Sequence, residues 1–376
     1  MAVLTEEQTM LRDAAKSWVS EKSPVTAFRK LRDSGSADGF DRAAWKEMAE
    51  MGWAGILIPE EFGGSGMGYL TLGLVLEEAG RTLTASPLIS TALTATTALL
   101  LAGNDAQKKE WLPKIAEGKA IATLAVDEHA HHAPEKIALA AKKVGGGYAL
   151  NGKKTFVLDG GTADLIIVAA RTSGKDKSGI TLFLVPGNAN GLMRTKLKSV
   201  DSRGVANLEF KDVEVPGSAV LGSIDNGFDV LDATLDRARA GLAAEMLGSA
   251  MQEFEVTLDY LKTRVQFGQA IGTFQALQHR AAKMFTDLEL TRSCVEAALS
   301  ATDKNANDIP MLASLAKAKV NELAHLVSNE MVQMHGGIGM TDAHDAGLYL
   351  KRARAAEATF GSASYHRDRY ARLMGY

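Results

Sequence analysis

The spacing of apolar residues changes twice along the chain, and this order constrains the fold more than any other feature. Helical spacing predominates to about residue 119, short runs rich in β-branched residues follow to about residue 222, and long helical segments complete the chain. Intervals of three and four indicate amphipathic helices, whereas short β-branched runs between turn residues indicate strands. The 376 residues are also too many for one small core. The sequence therefore predicts an α+β multidomain protein with domains at 1–119, 120–222 and 223–376.

The first predicted domain is mostly helical. Thr5-Glu6-Glu7-Gln8 has the pattern of a capping box, with Thr5 as N-cap and Gln8 three residues later. A turn-rich stretch, 58–68, interrupts the helical pattern, which resumes at Tyr69–Gly80. We expect an N-terminal helical domain.

The middle domain is predicted to be an antiparallel β domain. Its apolar runs are short and β-branched, as in Leu165-Ile-Ile-Val and Ile180-Thr-Leu-Phe-Leu-Val, and turn signals such as Gly145-Gly-Gly separate them. The runs follow one another without crossover helices between them.

After residue 222 the helical spacing returns in four long segments, which predict a C-terminal four-helix bundle at about 228–262, 273–302, 309–335 and 343–373.

Composition excludes several classes of function. A formal net charge of −3 gives no electrostatic basis for binding nucleic acid or an anionic membrane. The single cysteine, Cys294, rules out an internal disulfide framework and suits a reducing compartment. The N-terminus carries acidic residues without the apolar core of a signal peptide, and the apolar runs are too short to cross a bilayer. We expect a soluble, cytoplasmic protein.

The specific motifs lie mainly in the second half, and together they resemble the acyl-CoA dehydrogenase family. The chain contains Arg264-Val-Gln-Phe-Gly-Gln-Ala-Ile-Gly-Thr-Phe-Gln and, sixty-odd residues later, Gln333-Met-His-Gly-Gly-Ile-Gly-Met-Thr. Both are similar to signatures of that family. So are Val213-Glu-Val-Pro with the later Leu221-Gly, and Pro59-Glu-Glu-Phe-Gly-Gly-Ser-Gly-Met-Gly. The motifs occur in the family's order over nearly the whole chain, which implies its fold and its FAD cofactor.

The residue types in the two main signatures suit FAD. Arg264 offers a forked, permanently charged donor for a pyrophosphate. Phe267 and Phe274 can pack on flat rings, and Phe156 in the middle domain can lie near the flavin ring. Gln275 and Gln333 can hydrogen-bond to ring edges.

Two glycines complete this cofactor-binding set. Gly336 and Gly337 lack side chains, so the backbone can approach a phosphate closely. In the family, the arginine and the Gln-x-x-Gly-Gly segment contact one FAD from two neighbouring subunits, which implies an oligomer, with a tetramer expected. Taken singly, Arg264 would be a surface arginine and the glycine pair a helix C-cap. The joint spacing favours the functional interpretation.

The resemblance implies removal of two hydrogens from an acyl-CoA thioester to give the 2-enoyl form, with electrons passed to an electron-transfer flavoprotein. A glutamate usually takes the α-proton. At its usual place, in Ala356-Glu-Ala-Thr-Phe-Gly-Ser, this chain has Phe360. At the family's second location, one residue before an arginine, it has Ala238-Arg239. Neither residue can accept a proton.

Two accounts of the missing base remain open. Glu245 lies on the same predicted helix as Ala238, seven residues on, and its neighbours are small and apolar. Partial desolvation would suit it as a base, so it is the candidate catalytic residue, ahead of Glu357. In the other account the chain lacks a base of its own. Phe360-Gly-Ser and His366-Arg-Asp-Arg, together with the small apolar texture, resemble a bacterial branch with mixed tetramers for bulky CoA thioesters, including steroid side chains, in which one subunit type can hold the base.

The middle domain departs further from the family. The usual Thr-Glu-Pro-Gly-Ala-Gly-Ser-Asp run reads Val126-Asp-Glu-His-Ala-His-His-Ala-Pro, and Leu158 stands where a flavin-contacting hydroxyl is usual. The histidines of this run are expected to be solvated rather than metal-binding, because no cysteine or paired carboxylate completes a ligand set. The glycines after Phe62 do not match G-x-G-x-x-G, so an NAD-binding Rossmann fold is not expected.

Overall fold

The computed structural model describes residues 4–376, so the first three residues of the predicted N-terminal domain lie outside the described part. The chain begins with helices α1 (Glu6–Lys22), α2 (Val25–Ser34), α3 (Arg42–Glu50), α4 (Gly68–Arg81), α5 (Thr96–Ala102) and α6 (Asp105–Ala116), and a π-helix at Leu88–Ala95 precedes α5. The predicted capping box of α1 is confirmed. The Thr5 side chain accepts from the backbone of Gln8, and the Gln8 side chain accepts from the backbone of Thr5.

The middle of the chain forms one sheet of eight strands within the described residues. The strands are β1 (Ala122–Ala125), β2 (Ala140–Val144), β3 (Gly147–Leu158), β4 (Leu165–Arg171), β5 (Ile180–Pro186), β6 (Leu192–Lys196), β7 (Val205–Pro216) and β8 (Val220–Leu221). Their order is β6-β7-β3-β2-β4-β5-β8, with β1 beside β4.

Most of the strand pairs are antiparallel, as predicted. The exceptions involve β4, which pairs in parallel with β1 and, at one residue, with β2. Strand β4 and its neighbour β5 are buried along nearly their whole length, which explains why both appear in the sequence as continuous apolar runs.

The last part of the chain is helical, with α7 (Gly227–Thr263), α8 (Gln275–Asp303), α9 (Ile309–His335), α10 (Ala346–Ala358) and α11 (Ala363–Leu373). A short hairpin of β9 (Val265–Gln266) and β10 (Gln269–Ala270) separates α7 from α8. The prediction of a single helix at 343–373 is wrong, because this segment forms two helices, α10 and α11. Phe360 at φ 58° and Gly361 at φ 115° cannot continue a right-handed helix, so the chain turns between them.

By the packing of its own residues the chain divides into two compact units. Among the described residues, one unit contains 4–29, 69–84 and 239–376, and the other contains 30–68 and 85–238. The two boundaries between the three predicted domains stay predictions. No helix in residues 4–376 is long and apolar enough to cross a membrane.

Candidate functional site

The first signature forms a tight hairpin between two long helices. The backbone NH of Arg264 donates to Tyr260 at 2.8 Å, and its carbonyl accepts from Ile271 at 2.8 Å, which closes the β9–β10 hairpin. Its tip is Phe267-Gly268, with φ of 55° and 80°. A left-handed phenylalanine is uncommon, and the ring is also 88% exposed. Because neither core packing nor local propensity explains this residue, it is a candidate ligand contact.

The second signature lies where α9 ends. Gly336 has φ 64°, which turns the chain out of the helix into a short 3₁₀ segment, Gly336–Met340. Gln333 and both glycines are exposed, and a Cβ added at Gly336 or Gly337 would meet nothing within 4 Å. The backbone is therefore open to the approach of a ligand.

Tyr260 brings the two signatures together within one chain. Its backbone carbonyl receives the Arg264 NH, and its hydroxyl donates to the carbonyl of His335 at 3.4 Å. The rings of Tyr260 and His335 lie 4.3 Å apart. His335 also bonds through Nδ1 to the carbonyl of Met331 at 2.7 Å, and burial lowers the pKa of its imidazole. These contacts hold the glycine turn next to the end of α7.

The residues of the two signatures fit an FAD phosphate and ring system by their chemistry. Arg264 is exposed at the hairpin, and Phe267 and Phe274 face each other edge to face with ring centroids 6.1 Å apart. Gln275 is the first residue of α8 and is exposed. A guanidinium, two rings, amide side chains and an open glycine backbone are the groups that a dinucleotide needs.

Phe156 lies on a bulge of β3. The register with β7 shifts between Lys154 and Val157, Phe156 has φ 52°, and its side chain is 58% exposed. Its NH donates to the side chain of Asn207 at 3.2 Å. The bulge thus presents a ring outward from the sheet, as the flavin-contact hypothesis requires. The carbonyl of Leu158 accepts a hydrogen bond from Thr123 at 2.6 Å, and its side chain offers no hydroxyl.

The altered run after β1 is anchored by a buried ion pair. Lys154 is fully buried, and its Nζ lies 2.8 Å from Glu128 and 2.9 Å from the carbonyl of Val126. Burial lowers the pKa of Lys154, and Glu128 opposes that shift. Further along, Nδ1 of His132 lies 2.9 and 3.0 Å from the two oxygens of Asp127. The structure therefore gives His132 a carboxylate partner, where the sequence predicted a solvated side chain.

The position of the usual base lies in the turn between α10 and α11. Phe360 is half-buried there, and its carbonyl accepts from Nε of Arg239 at 3.3 Å and from Nε2 of His366 at 3.0 Å. Ala238, at the alternative base position, is fully buried on α7. The turn keeps a defined geometry although neither position carries a carboxylate.

Glu245 is buried, as its apolar neighbours predicted, but it has a partner that the sequence did not reveal. One of its oxygens lies 2.9 Å from Nη2 and 3.0 Å from Nε of Arg352, which is also buried. The two residues are 107 positions apart. Glu357, the weaker candidate, pairs with Arg354 and lies 3.4 Å from Nδ1 of His325. The role of either carboxylate as a base stays a prediction.

The sequence did not predict that a group of buried polar side chains would surround this turn. Lys317 and Asn321 on α9, His366 on α11 and Arg239 on α7 are all buried and donate to its carbonyls. The signal in the sequence was a lysine and an asparagine at i and i+4, among the small and apolar residues of the first half of α9. Glu253, fully buried on α7, was also missed.

Comparison with known proteins gives matches along the chain. Residues 5–119, 127–213 and 225–375 match the family models described as the N-terminal, middle and C-terminal domains of acyl-CoA dehydrogenase. The chain is 33% identical to mitochondrial isovaleryl-CoA dehydrogenase of Pongo abelii, over 97% of this chain and 88% of that protein.

Two solved structures are similar over almost their full length. One comes from work on the electron transferring flavoprotein of Acidaminococcus fermentans, with a TM-score of 0.92, 30% identity and 100% coverage of both chains. The other is the steroid ACAD Tcur3481-Tcur3483, with a TM-score of 0.89, 30% identity and 98% coverage of both chains.

Proposed function

The chain therefore belongs to the acyl-CoA dehydrogenase family of FAD-dependent oxidoreductases, and from this premise we propose that it acts in the α,β-dehydrogenation of an acyl-CoA thioester to the 2-enoyl-CoA. The fold and the cofactor predicted from the sequence are confirmed by the family match. Electrons would pass to an electron-transfer flavoprotein, a partner class supported by the work from which one similar structure comes.

The observation that supports the proposal is the exposure of both cofactor signatures, which in an oligomer would meet one FAD from two neighbouring copies. Arg264 would bind the pyrophosphate, Gln275 and Gln333 would bind ring edges, and the open backbone at Gly336 and Gly337 would admit a phosphate. Bound FAD supplies the oxidant that accepts a hydride from the β-carbon of the substrate. The protein has to bind and orient the thioester, exclude water and provide a carboxylate for the α-proton.

An oligomer, which we propose to be a homotetramer or heterotetramer, is supported by exposed apolar residues beside these signatures. Phe267 is 88% exposed, Met340 78%, Val265 63% and Ile338 46%. Large apolar side chains exposed in both signatures are consistent with surfaces that another copy of the chain covers.

The origin of the base has two candidate answers. If Glu245 takes the α-proton, its carboxylate has to leave the buried pair with Arg352. Removing one partner of a buried pair costs about 3–5 kcal/mol, because the other charge stays desolvated. This favours the second answer, in which the chain is the base-lacking, FAD-holding subunit of a heteromeric enzyme. The similar steroid ACAD, whose name joins two proteins, supports that possibility.

Substitution at two positions separates these answers. The FAD-loaded chain and its Glu245→Gln variant would be mixed anaerobically with acyl-CoA, and bleaching of the flavin absorbance would be followed. If Glu245 is the base, the wild-type chain bleaches alone and the variant loses at least about 100-fold in rate. Equal rates for wild type and variant, with equal melting temperatures, would exclude Glu245.

For a base-lacking subunit, the informative substitution is Phe360→Glu, with Phe360→Gln as the uncharged control. The wild-type chain and the Gln variant should not bleach, whereas the Glu variant should gain bleaching, because the turn still presents residue 360 in a fixed geometry. A Glu variant that folds, binds FAD and acyl-CoA and stays as inactive as the Gln control would contradict this account.

The first measurement is the visible spectrum of the chain expressed alone. A stoichiometric flavin spectrum supports a self-sufficient cofactor site. A colourless product points to a partner subunit. The acyl group is proposed to be branched or ring-bearing, a choice supported by the names of the isovaleryl-CoA and steroid relatives.

A further inference from the structure

His335 is buried directly beside the exposed glycine turn of the second signature. Its side chain is only 4% exposed, although Gln333, Gly336 and Gly337 around it are all exposed. The NH of Gly336 donates to the carbonyl of Gln333, which ends α9 and starts the turn. The turn then folds back, because a Cβ added at Gly339 would lie 3.1 Å from the Cβ of His335. The backbone that is proposed to receive the cofactor thus folds around His335.

Two other rings contact the imidazole of His335. The ring centroid of Tyr260, on α7, lies 4.3 Å away, and that of His344, in the segment before α10, lies 4.2 Å away. His344 is itself fixed, because its Nδ1 accepts from the NH of Ala346 at 3.1 Å. The Tyr260 hydroxyl also donates to the His335 carbonyl at 3.4 Å. Residues outside α9 therefore hold both the ring and the peptide group of His335.

The contacts of this imidazole suit its neutral form. Nδ1 lies 2.7 Å from the carbonyl oxygen of Met331, so it carries the hydrogen, and Nε2 is then unprotonated. Nε2 is buried and has no hydrogen-bond partner among residues 4–376. Protonation would create an N–H without an acceptor and a positive charge beside the ring of His344. Burial accordingly lowers the pKa of His335, with the Met331 carbonyl opposing the shift and His344 adding to it.

The charged groups in the neighbouring segment already have a partner. Asp342 and Asp345, on either side of the contacting histidine, pair with Arg29 at 3.4 and 2.7 Å. The turn at 336–340 contains no titratable side chain, and α7 contributes the tyrosine ring described above. A protonated His335 would therefore gain an acceptor for its new N–H only by leaving the stack.

We infer that His335 is a positioning residue for FAD: its neutral ring, in contact with Tyr260 and His344, keeps the glycine turn in the conformation that receives the cofactor, and acidification releases FAD by breaking these contacts. The inference rests on the proposed function, and His335 acts through the backbone rather than by touching the cofactor. A turn without this support has to be ordered again when FAD binds, which weakens the affinity.

The sign of the pH effect follows from the preference for the neutral form. Full FAD affinity is expected above pH 6.5, the ordinary pKa of histidine, and it is lost as pH falls through the lowered pKa of His335.

The test follows the dissociation constant of FAD for the full-length protein by flavin fluorescence, from about pH 8 to about pH 5. His335→Phe keeps an aromatic ring in the stack and cannot be protonated, whereas His335→Ala removes the ring. His325→Phe is the matched control, because this histidine lies on the same helix and its side chain is 59% exposed. Melting temperatures are recorded at each pH, so that loss of FAD is separated from unfolding.

We expect wild type and His325→Phe to lose FAD affinity below pH 6.5, by at most about tenfold per pH unit, the limit for one linked proton. His335→Phe should bind FAD within about fivefold of wild type at about pH 8, since one hydrogen bond is lost, and its affinity should not change with pH. His335→Ala should bind FAD about tenfold or more weakly at every pH, because both ring contacts are lost.

A pH dependence of FAD affinity that His335→Phe shares with wild type overturns the inference, because another group would then titrate. A wild-type affinity that stays constant or increases down to about pH 5 also overturns it, because the neutral ring would not be required. If His335→Ala does not fold, the pH profile of the Phe variant decides. If the wild type binds no FAD at any pH, the proposed function itself fails.

Discussion

Glu253 provides a test of the structure that is independent of catalysis. It lies on α7, its side chain is fully buried, and neither of its oxygens has a hydrogen-bond partner among residues 4–376. Burial raises the pKa of this carboxyl well above its ordinary value of 4.5, with Arg354 opposing the shift and Glu357 adding to it. A buried carboxylate without donors is costly, so folding favours the protonated form of Glu253.

The sign of the pH dependence follows from proton binding. Above pH 4.5 the unfolded chain releases the Glu253 proton while the folded chain keeps it, so stability is lost as pH rises towards the raised folded pKa. The slope is about 1.4 kcal/mol per pH unit in that window. For a chain of 376 residues this corresponds to roughly 2 °C in melting temperature per pH unit. Glu253→Gln removes the ionisable group and the slope with it.

The assay is thermal unfolding of wild type and Glu253→Gln from pH 5 upwards, plotted as the difference between their melting temperatures. That difference should grow in favour of the variant with each pH unit and level off above the folded pKa. Asp259→Asn is the control, because its carboxylate lies on the same helix and is 78% exposed, so its difference should stay flat. A flat difference for Glu253→Gln as well would show that Glu253 is ionised or solvated, and would refute the reasoning.

Two further substitutions test the cofactor site and the turn. Arg264→Ala should weaken FAD binding by about 10- to 100-fold, because a charge-assisted hydrogen bond to phosphate is lost. The affinity would be measured by fluorescence titration of the apoprotein, with Lys262→Ala as a control that should bind FAD like wild type. Equal FAD affinities for Arg264→Ala and wild type would show that Arg264 does not bind the cofactor. Gly361→Ala should cost roughly 2–4 kcal/mol, because the new Cβ meets Tyr365 and the backbone φ is 115°. The control is Gly347→Ala on α10, where an added Cβ meets nothing within 4 Å, so it should be neutral or slightly stabilising. Both variants would be compared by thermal unfolding, and equal melting temperatures for Gly361→Ala and Gly347→Ala would contradict the packing described.

The secondary structure was largely predictable because its signals are local. The α1 capping box involves residues three apart, and strands β4 and β5 are continuous apolar runs between turns. The break between α10 and α11 was not predictable in the same way. Apolar spacing stays helical across it, and only the backbone at Phe360 and Gly361, held by side chains from other helices, turns the chain.

The same distinction between local and long-range signals applies to the candidate site. The two signatures could be located because each is a contiguous motif, and the exposed Phe267, Arg264 and glycine pair agree with a ligand-binding surface. Burial of Glu245 could be inferred from its small apolar neighbours, but its partner Arg352 could not, because the pair joins two helices distant in sequence. The pairing with Arg352 weakens the case for Glu245 as the base. A buried glutamate alone suggests a base, whereas a buried glutamate bonded to a buried arginine already has a structural role. Phe360, at the usual base position, is held through its carbonyl by Arg239 and His366, and Glu245 is held by Arg352. Both sets of contacts support the proposal of a subunit that depends on a partner for proton abstraction.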